Sequence, residues 1–379
     1  MLDSLDLNAI RQQVTRVGRR VKIVRWILGM VCLLIAVSGI GFLILTLFSP
    51  RQCTTCFLSL GVVLLLLALV SGFLLWVVTT TMRYFGFTSR AERFKLLQTL
   101  NLQDIPRPAS SANIRIRLIY VGVLVIVGAG LLLLTRGISE PILNLAISVA
   151  VVILGIGLLG SFLLLPYYTQ KRIYQLFLQN VNYEAALQET VRLRRRFPSQ
   201  ITYINLQGLV LGLMDRGADA LQAYREFLGY VQRTPHPLYS VVALNNLGYE
   251  YVMAQRYNEA LPLLETGAKI YPPQPHIYHT LALLYLEQNV QPERALELSE
   301  VAAEFVTRRQ RDQRAAFLAT QAWAAALTGR STRAESLLNE AFRLANPKLQ
   351  STMAHLHLVA GRVKLALRDV PSAQANFAL

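Results

Sequence analysis

Four long apolar runs fill the first half of the chain, and an amphipathic pattern of much longer period fills the second. The runs cover about Trp26–Phe48, Phe57–Thr79, Leu118–Thr135 and Ile142–Leu165. At ~1.5 Å per residue each is long enough for a ~30 Å hydrocarbon core, the third only just. They predict a four-helix transmembrane domain over residues 26–166. Away from their ends the runs hold no Asp, Glu, Lys, Arg or His, the costly groups that mark an ion or substrate path. Shifting the chain by 89 residues lays Val37-Ser38-Gly39-Ile40-Gly41 on Ile126-Val127-Gly128-Ala129-Gly130, and Phe73-Leu74-Leu75 on Phe162-Leu163-Leu164. The four spans therefore read as two copies of one helical hairpin.

Residues 1–25 pair a rough apolar face, Leu5, Leu7, Ile10, Val14 and Val17, with Arg11, Arg16, Arg19, Arg20, Lys22 and Arg25. This pattern predicts a basic amphipathic juxtamembrane helix lying on anionic headgroups, with docking on protein as the rarer alternative. The first apolar run is too long for the core of a cleaved signal peptide, so a retained signal-anchor is expected. Lys/Arg bias orients the spans. The N-terminal tail has six basic residues and the polar stretch 82–117 has seven, while the two short turns have one each, Arg51 and Arg136. The N-terminus, the middle stretch and all that follows Leu165 are expected in the cytoplasm. Within the middle stretch, Thr88 or Ser89 is placed to cap a short helix over residues 87–101.

The second pattern is clearest in Val241–Pro272. Gly248 and Ala260 let two antiparallel helices cross closely, Leu244, Leu247, Tyr251 and Leu264 fill the crossing, and Pro272 ends the second helix. This stretch resembles a tetratricopeptide repeat, a helix–turn–helix unit of ~34 residues. The small residue early in each second helix recurs at Ala186, Ala220, Ala260, Ala295, Ala334 and Ala373, with spacings of 34, 40, 35, 39 and 39. The fourth unit has one extra residue at its turn. The resemblance implies an α-solenoid of about six tetratricopeptide-like hairpins over residues 167–379. The predicted fold class is thus all-α: four transmembrane helices in two duplicated hairpins, then the solenoid. The sixth unit stops inside its second helix, so its end is expected to fray or to be covered by a partner or a second copy.

Composition adds little to this and excludes some readings. Apolar residues make up 53% and charged residues 16%, as suits an integral membrane protein. The formal charge of +16 divides into 15 basic against 5 acidic residues over 1–169 and 23 against 17 over 170–379. The basic excess of the first half flanks apolar spans, so orientation explains it and nucleic acid is not expected as a partner. Three cysteines are too few for a disulfide framework.

The candidate chemistry is sparse. A tetratricopeptide array implies a groove lined by first helices, which places Asn205, Leu209, Asn245, Tyr249, Met253, His276 and His279 as protein-binding candidates. Asn245 fits two roles: bonding to an extended peptide's backbone, or a solvated or capping polar group. The Lys and Arg partners of the family's carboxylate clamp are missing from the neighbouring first helices. His276 and His279 lie at metal-sharing spacing, but no Cys, Asp or Glu nearby completes a set, so no metal is expected. Arg192, Arg194, Arg195 and Arg196 end the first unit, where a helix C-terminus and lipid headgroups both favour cations. Cys53 and Cys56 form an external CxxC that fits a structural disulfide or two free thiols. A membrane bundle with an outer CxxC is similar to quinone-linked thiol oxidases, but the second cysteine pair those enzymes use is missing. No catalytic constellation and no cofactor site is expected. The chain reads as a multi-pass protein of the cytoplasmic (inner or plasma) membrane, a scaffold that recruits a protein partner through its solenoid. The alternatives are a thiol–disulfide oxidoreductase at Cys53 and Cys56 and an accessory subunit of a membrane transport complex. The expected partners are a peptide segment or membrane-complex subunit and the lipid bilayer, with a second copy of the chain as an alternative.

Overall fold

Five turns between paired helices repeat one backbone solution, and they define the architecture. In the computed structural model the last residue but one of each turn or its neighbour takes positive φ: Asp215, Gln255, Asn289, Gly329 and Arg368. Each also donates its amide N–H to the carbonyl three residues back, as Asp215 does to Gly212 at 3.1 Å and Gln255 to Val252 at 3.0 Å. The next amide reaches five residues back, as in Arg216 to Leu211 at 2.9 Å, Arg256 to Tyr251 at 2.8 Å and Arg330 to Ala325 at 2.9 Å. This is the Schellman termination, which satisfies the orphan carbonyls at a helix end. The fourth unit carries its extra residue here: Gln291 also adopts positive φ.

The structure describes residues 5–48, 78–100, 182–197 and 200–378 apart from 234, 235 and 308, with residues 172–176 and scattered positions between 64 and 76. The expected third and fourth spans, most of the second, the Cys53–Cys56 motif, most of the duplicated hairpin and nearly all of the first unit's first helix lie outside the described residues.

The described elements are helices α1 (Leu7–Phe48), α2 (Arg90–Gln98), α3 (Tyr183–Arg196), α4 (Ile201–Leu213), α5 (Gly217–Arg233), α6 (Pro237–Met253), α7 (Tyr257–Ile270), α8 (Pro275–Glu287), α9 (Pro292–Phe305), α10 (Arg311–Leu327), α11 (Ser331–Leu344), α12 (Gln350–Ala366) and α13 (Val370–Phe377). Among the described residues there is no strand. From α4 onward they form five consecutive antiparallel hairpins, α4–α5 to α12–α13, and α3 supplies the second helix of the unit before them. The result is an all-helical repeat array resembling a tetratricopeptide solenoid. The six recurring alanines are the crossing points, each at most 1% exposed. Pro237, Pro275 and Pro292 open helices, where the missing N–H costs nothing. Pro272 follows the end of α7 at Ile270.

Gly329 is the one turn residue suited to positive φ without a Cβ penalty. Gln255 meets that penalty, so Gln255→Gly is expected to raise stability by about 0.5–1 kcal/mol, and Gly329→Ala to lower it by a similar amount. Thermal unfolding of the detergent-solubilised chain, followed by circular dichroism, measures both.

The N-terminal tail corrects one expectation. Its apolar face does not lie open toward headgroups: Leu5, Leu7 and Ile10 are buried in the same core as the repeats. Arg11 Nε donates to Glu304 at 2.9 Å, and the Arg294 guanidinium donates to the Leu5 carbonyl. Residues 84–100 dock on the same side of the array. Ser89 caps α2 in a capping box with Glu92, and Thr88 Oγ1 donates to the Ile270 carbonyl at 3.0 Å. Tyr84 and Phe87 pack on Tyr271, and Phe85 on His236.

Beyond the docked turns α1 runs on without a break. Among the described residues it is the one helix long and apolar enough to cross a membrane, with mean hydropathy 2.3 over its most apolar window. Trp26 is 70% exposed, Leu34 62% and Val37 58%, so this half is not a core helix of the array.

Candidate functional site

The inner layer of the array is made by the first helices, α4, α6, α8, α10 and α12. Two stretches of it differ in kind. From the fourth unit to the sixth its middle is tightly packed. The first helix of the fifth unit, α10, is rich in alanine: Ala315, Ala319, Ala322, Ala324 and Ala325 are fully buried. Small side chains let the units on either side approach across it. The Arg362 guanidinium of α12 pairs with Glu287 of α8, skipping a whole unit, and lies 4.6 Å from the Trp323 ring. The rings of His279 and His355 are 6.4 Å apart across the same unit.

This curl moves two of the predicted site residues. His279, expected on an open groove, is buried; its Nε2 is 2.9 Å from Thr320 Oγ1 and its ring 4.6 Å from that of Phe317. His276 packs edge-on to Phe317 at 5.3 Å. Burial pushes the pKa of His276, His279 and His355 down, and for His279 the neighbouring histidines add to it. At neutral pH these are uncharged histidines packed between helices, His279 buried and His276 and His355 half-buried.

The asparagines are also used internally. Asn246 Nδ2 donates to Asn205 Oδ1 at 2.7 Å, Asn245 Nδ2 donates to Asn246 Oδ1 at 3.2 Å, and Thr280 Oγ1 donates to Asn245 Oδ1 at 2.9 Å. The four side chains form a polar ladder joining α4, α6 and α8. Asn205 and Asn245 therefore fix the register of neighbouring units with one of their hydrogen-bonding groups.

The open stretch lies one turn further along α6, between the second and third units. A cavity of about 600 Å³ is lined by Leu209 and Leu213 of α4, Tyr224 of α5, and Tyr249, Glu250 and Met253 of α6. Tyr249 is 38% exposed and Met253 46%, two large apolar side chains left open to solvent. Three predicted residues, Leu209, Tyr249 and Met253, thus meet at one place. Glu250, which the sequence reading did not single out, sits among them. Its carboxylate lies against the backbone of α4, where a Cβ at Gly212 would come within 2.9 Å of Oε1. Burial pushes its pKa up to about 7. Tyr224 and Tyr249 are pushed up by burial and then by Glu250, so both stay neutral. The nearby cations are engaged elsewhere: Arg216 with Asp219, Arg225 with the Tyr251 hydroxyl, and Arg362 with Glu287. The signal that could have found Glu250 is in the sequence: Asn246, Leu247, Met253 and Ala254, its helical neighbours, include no base.

Neither a family model nor a curated protein matches the chain. Among solved structures it is similar to MamA 41-end from Desulfovibrio magneticus RS-1, with 16% identity over 47% of this chain and 93% of that one and a TM-score of 0.34. It is similar to BtubC (BKLC) from P. vanneervenii, with 16% identity over 53% and 87% and a TM-score of 0.38. It is also similar to a tetratricopeptide repeat protein from Parabacteroides merdae ATCC 43184, with 15% identity over 56% and 90% and a TM-score of 0.32.

Proposed function

We propose that this chain is a membrane-anchored scaffold that binds a protein partner through the inner face of its helical repeats and holds it at the membrane. The observation that carries the reading is the open cavity between the second and third units, where Leu213, Tyr249 and Met253 leave apolar surface uncovered side by side. Aromatic side chains at the mouth of a cavity often dominate protein recognition, and an adaptable thioether beside them moulds itself to a partner. A partner segment laid along α6 would bury both.

The anchoring half of the proposal rests on α1. Its first turns are fixed to the array by Leu5, Leu7, Ile10 and Arg11, and its apolar continuation is exposed. One uninterrupted helix of 42 residues, ~63 Å long, would carry the array at a fixed attitude to the bilayer. The four-span topology and the cytoplasmic placement of the N-terminus and repeats are parts of the same proposal and rest on the hydropathy and Lys/Arg pattern. A role without catalysis is a further part, and it rests on the sparse candidate chemistry of the sequence.

Pull-down from detergent, comparing the wild-type chain with Tyr249→Ala and Met253→Ala, tests it. The Tyr249→Ala chain is expected to lose about tenfold or more in partner affinity with its melting temperature unchanged. If a fragment of residues 1–169 keeps every partner of the full chain, the membrane bundle is the recognition element and the reading fails.

A further inference from the structure

Glu250 is a half-buried carboxylate with no cation on it, in a chain whose formal charge is +16. Eleven ion pairs are formed among the described residues, and none includes Glu250. Desolvating an unpaired carboxylate is costly, and its pKa is raised to about 7 for that reason. It is not placed there by crowding: Gly212 leaves it room against α4, and Gly217 is the next nearest neighbour with a missing side chain, 3.9 Å from Oε2 to its ideal Cβ. Around it the cavity walls are Leu209, Leu213, Tyr224, Tyr249 and Met253. An apolar sleeve ending in a carboxylate, with tyrosine faces beside it, has the complementary form of an alkyl stem ending in a cation.

We propose that this cavity is the specificity pocket of the scaffold face, and that it takes a lysine side chain from an extended segment of the partner protein. The stem would lie along Leu209, Leu213 and Met253, and the ammonium would meet the Glu250 carboxylate and the Tyr249 ring. This proposal rests on the scaffold reading for the existence of a partner, but not for the chemistry of the pocket.

The test uses the full chain in lipid nanodiscs with its methionine methyl groups labelled with ¹³C. The Met253 resonance, assigned by its loss in Met253→Leu, reports on the cavity. N-acetyl-lysine N-methylamide is titrated at pH 8, with N-acetyl-norleucine N-methylamide as the uncharged match. The lysine probe is expected to shift the Met253 signal saturably, at least fivefold more tightly than the norleucine probe. Glu250→Gln is expected to remove that preference while leaving the signal of the free protein in place. Equal response to the two probes, no response to either, or a lysine preference that survives Glu250→Gln would each overturn the pocket assignment. Partner capture separates the two proposals. If Tyr249→Ala abolishes capture and Glu250→Gln leaves it intact, the scaffold stands and the lysine pocket is wrong. If neither variant affects capture, the scaffold face itself is wrong.

Discussion

Gly248→Leu is expected to destabilise the repeat array by about 3 kcal/mol, one of the largest effects of a single apolar substitution in the chain. A Cβ at Gly248 would lie 2.7 Å from Leu264 Cδ2 and 2.8 Å from its Cγ. Leu264 is fully buried and has no solvent side to swing toward. The new side chain must therefore push α6 and α7 apart. Replacing a mid-helix glycine returns roughly 1 kcal/mol of helix propensity, which the clash more than offsets. Leu264→Ala alone costs about 2–5 kcal/mol through the cavity it opens. Combined, the two changes fill and vacate the same space. The double variant is expected to be more stable than the sum of the single losses by over ~1 kcal/mol, read from unfolding curves of the four proteins. Strict additivity would mean that the two side chains do not meet. The same change at Gly361 should cost less. There a Cβ would meet Phe377, but Phe377 is 48% exposed and can move.

Gly248 also shows what the sequence carries well. Close crossings need small residues at fixed offsets, so Gly208, Gly248, Gly361 and the six alanines reveal the hairpins and their phase, down to the extra residue near Gln291. Curvature was not legible in the same way. It depends on the summed bulk of α10 against α8 and α12, and no local pattern near His276 or His279 reports that. Both histidines sit at groove positions by helical phase, and another helix packs over them, with Phe317 against both rings and Thr320 bonded to His279. The N-terminal tail shows a different limit. An apolar stripe states that Leu5, Leu7 and Ile10 must leave water, not whether lipid or protein receives them. The paired contacts of Arg11 with Glu304 and of Arg294 with the Leu5 carbonyl are almost 300 residues apart in sequence, beyond any periodicity argument. Asn245 was legible as a polar residue of the inner layer. Its partner Thr280 stands one unit on, and only the stacking brings them together.

Acidification should loosen the fourth to sixth units before the rest, because their buried histidines cannot take up protons that the unfolded chain accepts. His279 is pushed well below the ordinary histidine value, and His276 and His355 are pushed down as well, all chiefly by burial. For a base whose folded pKa is depressed, the unfolded state binds more protons between the two values. Stability is therefore complete above the unfolded pKa near 6.5 and falls as pH drops below it. At one pH unit per ~1.4 kcal/mol, a histidine kept neutral down to pH 5 costs the fold up to about 2 kcal/mol there. Glu250 works in the opposite direction. Its pKa is raised to about 7, so the folded state binds the extra proton between about 4.5 and 7, and its contribution is lost as pH rises through that window. It is only half-buried, so screening holds this to about 1 kcal/mol or less. Melting temperatures across pH 5–8 should separate the two. His279→Gln, which keeps a group able to bond Thr320 without titrating, is expected to flatten the acid limb even if it lowers the maximum. Glu250→Gln is expected to raise the melting temperature at pH 8 and leave it unchanged at pH 5. An acid limb of undiminished slope in His279→Gln would mean that the proton uptake responsible lies elsewhere, with His236 beside Tyr84 and Phe85 the next position to replace, since its pKa too is lowered by burial.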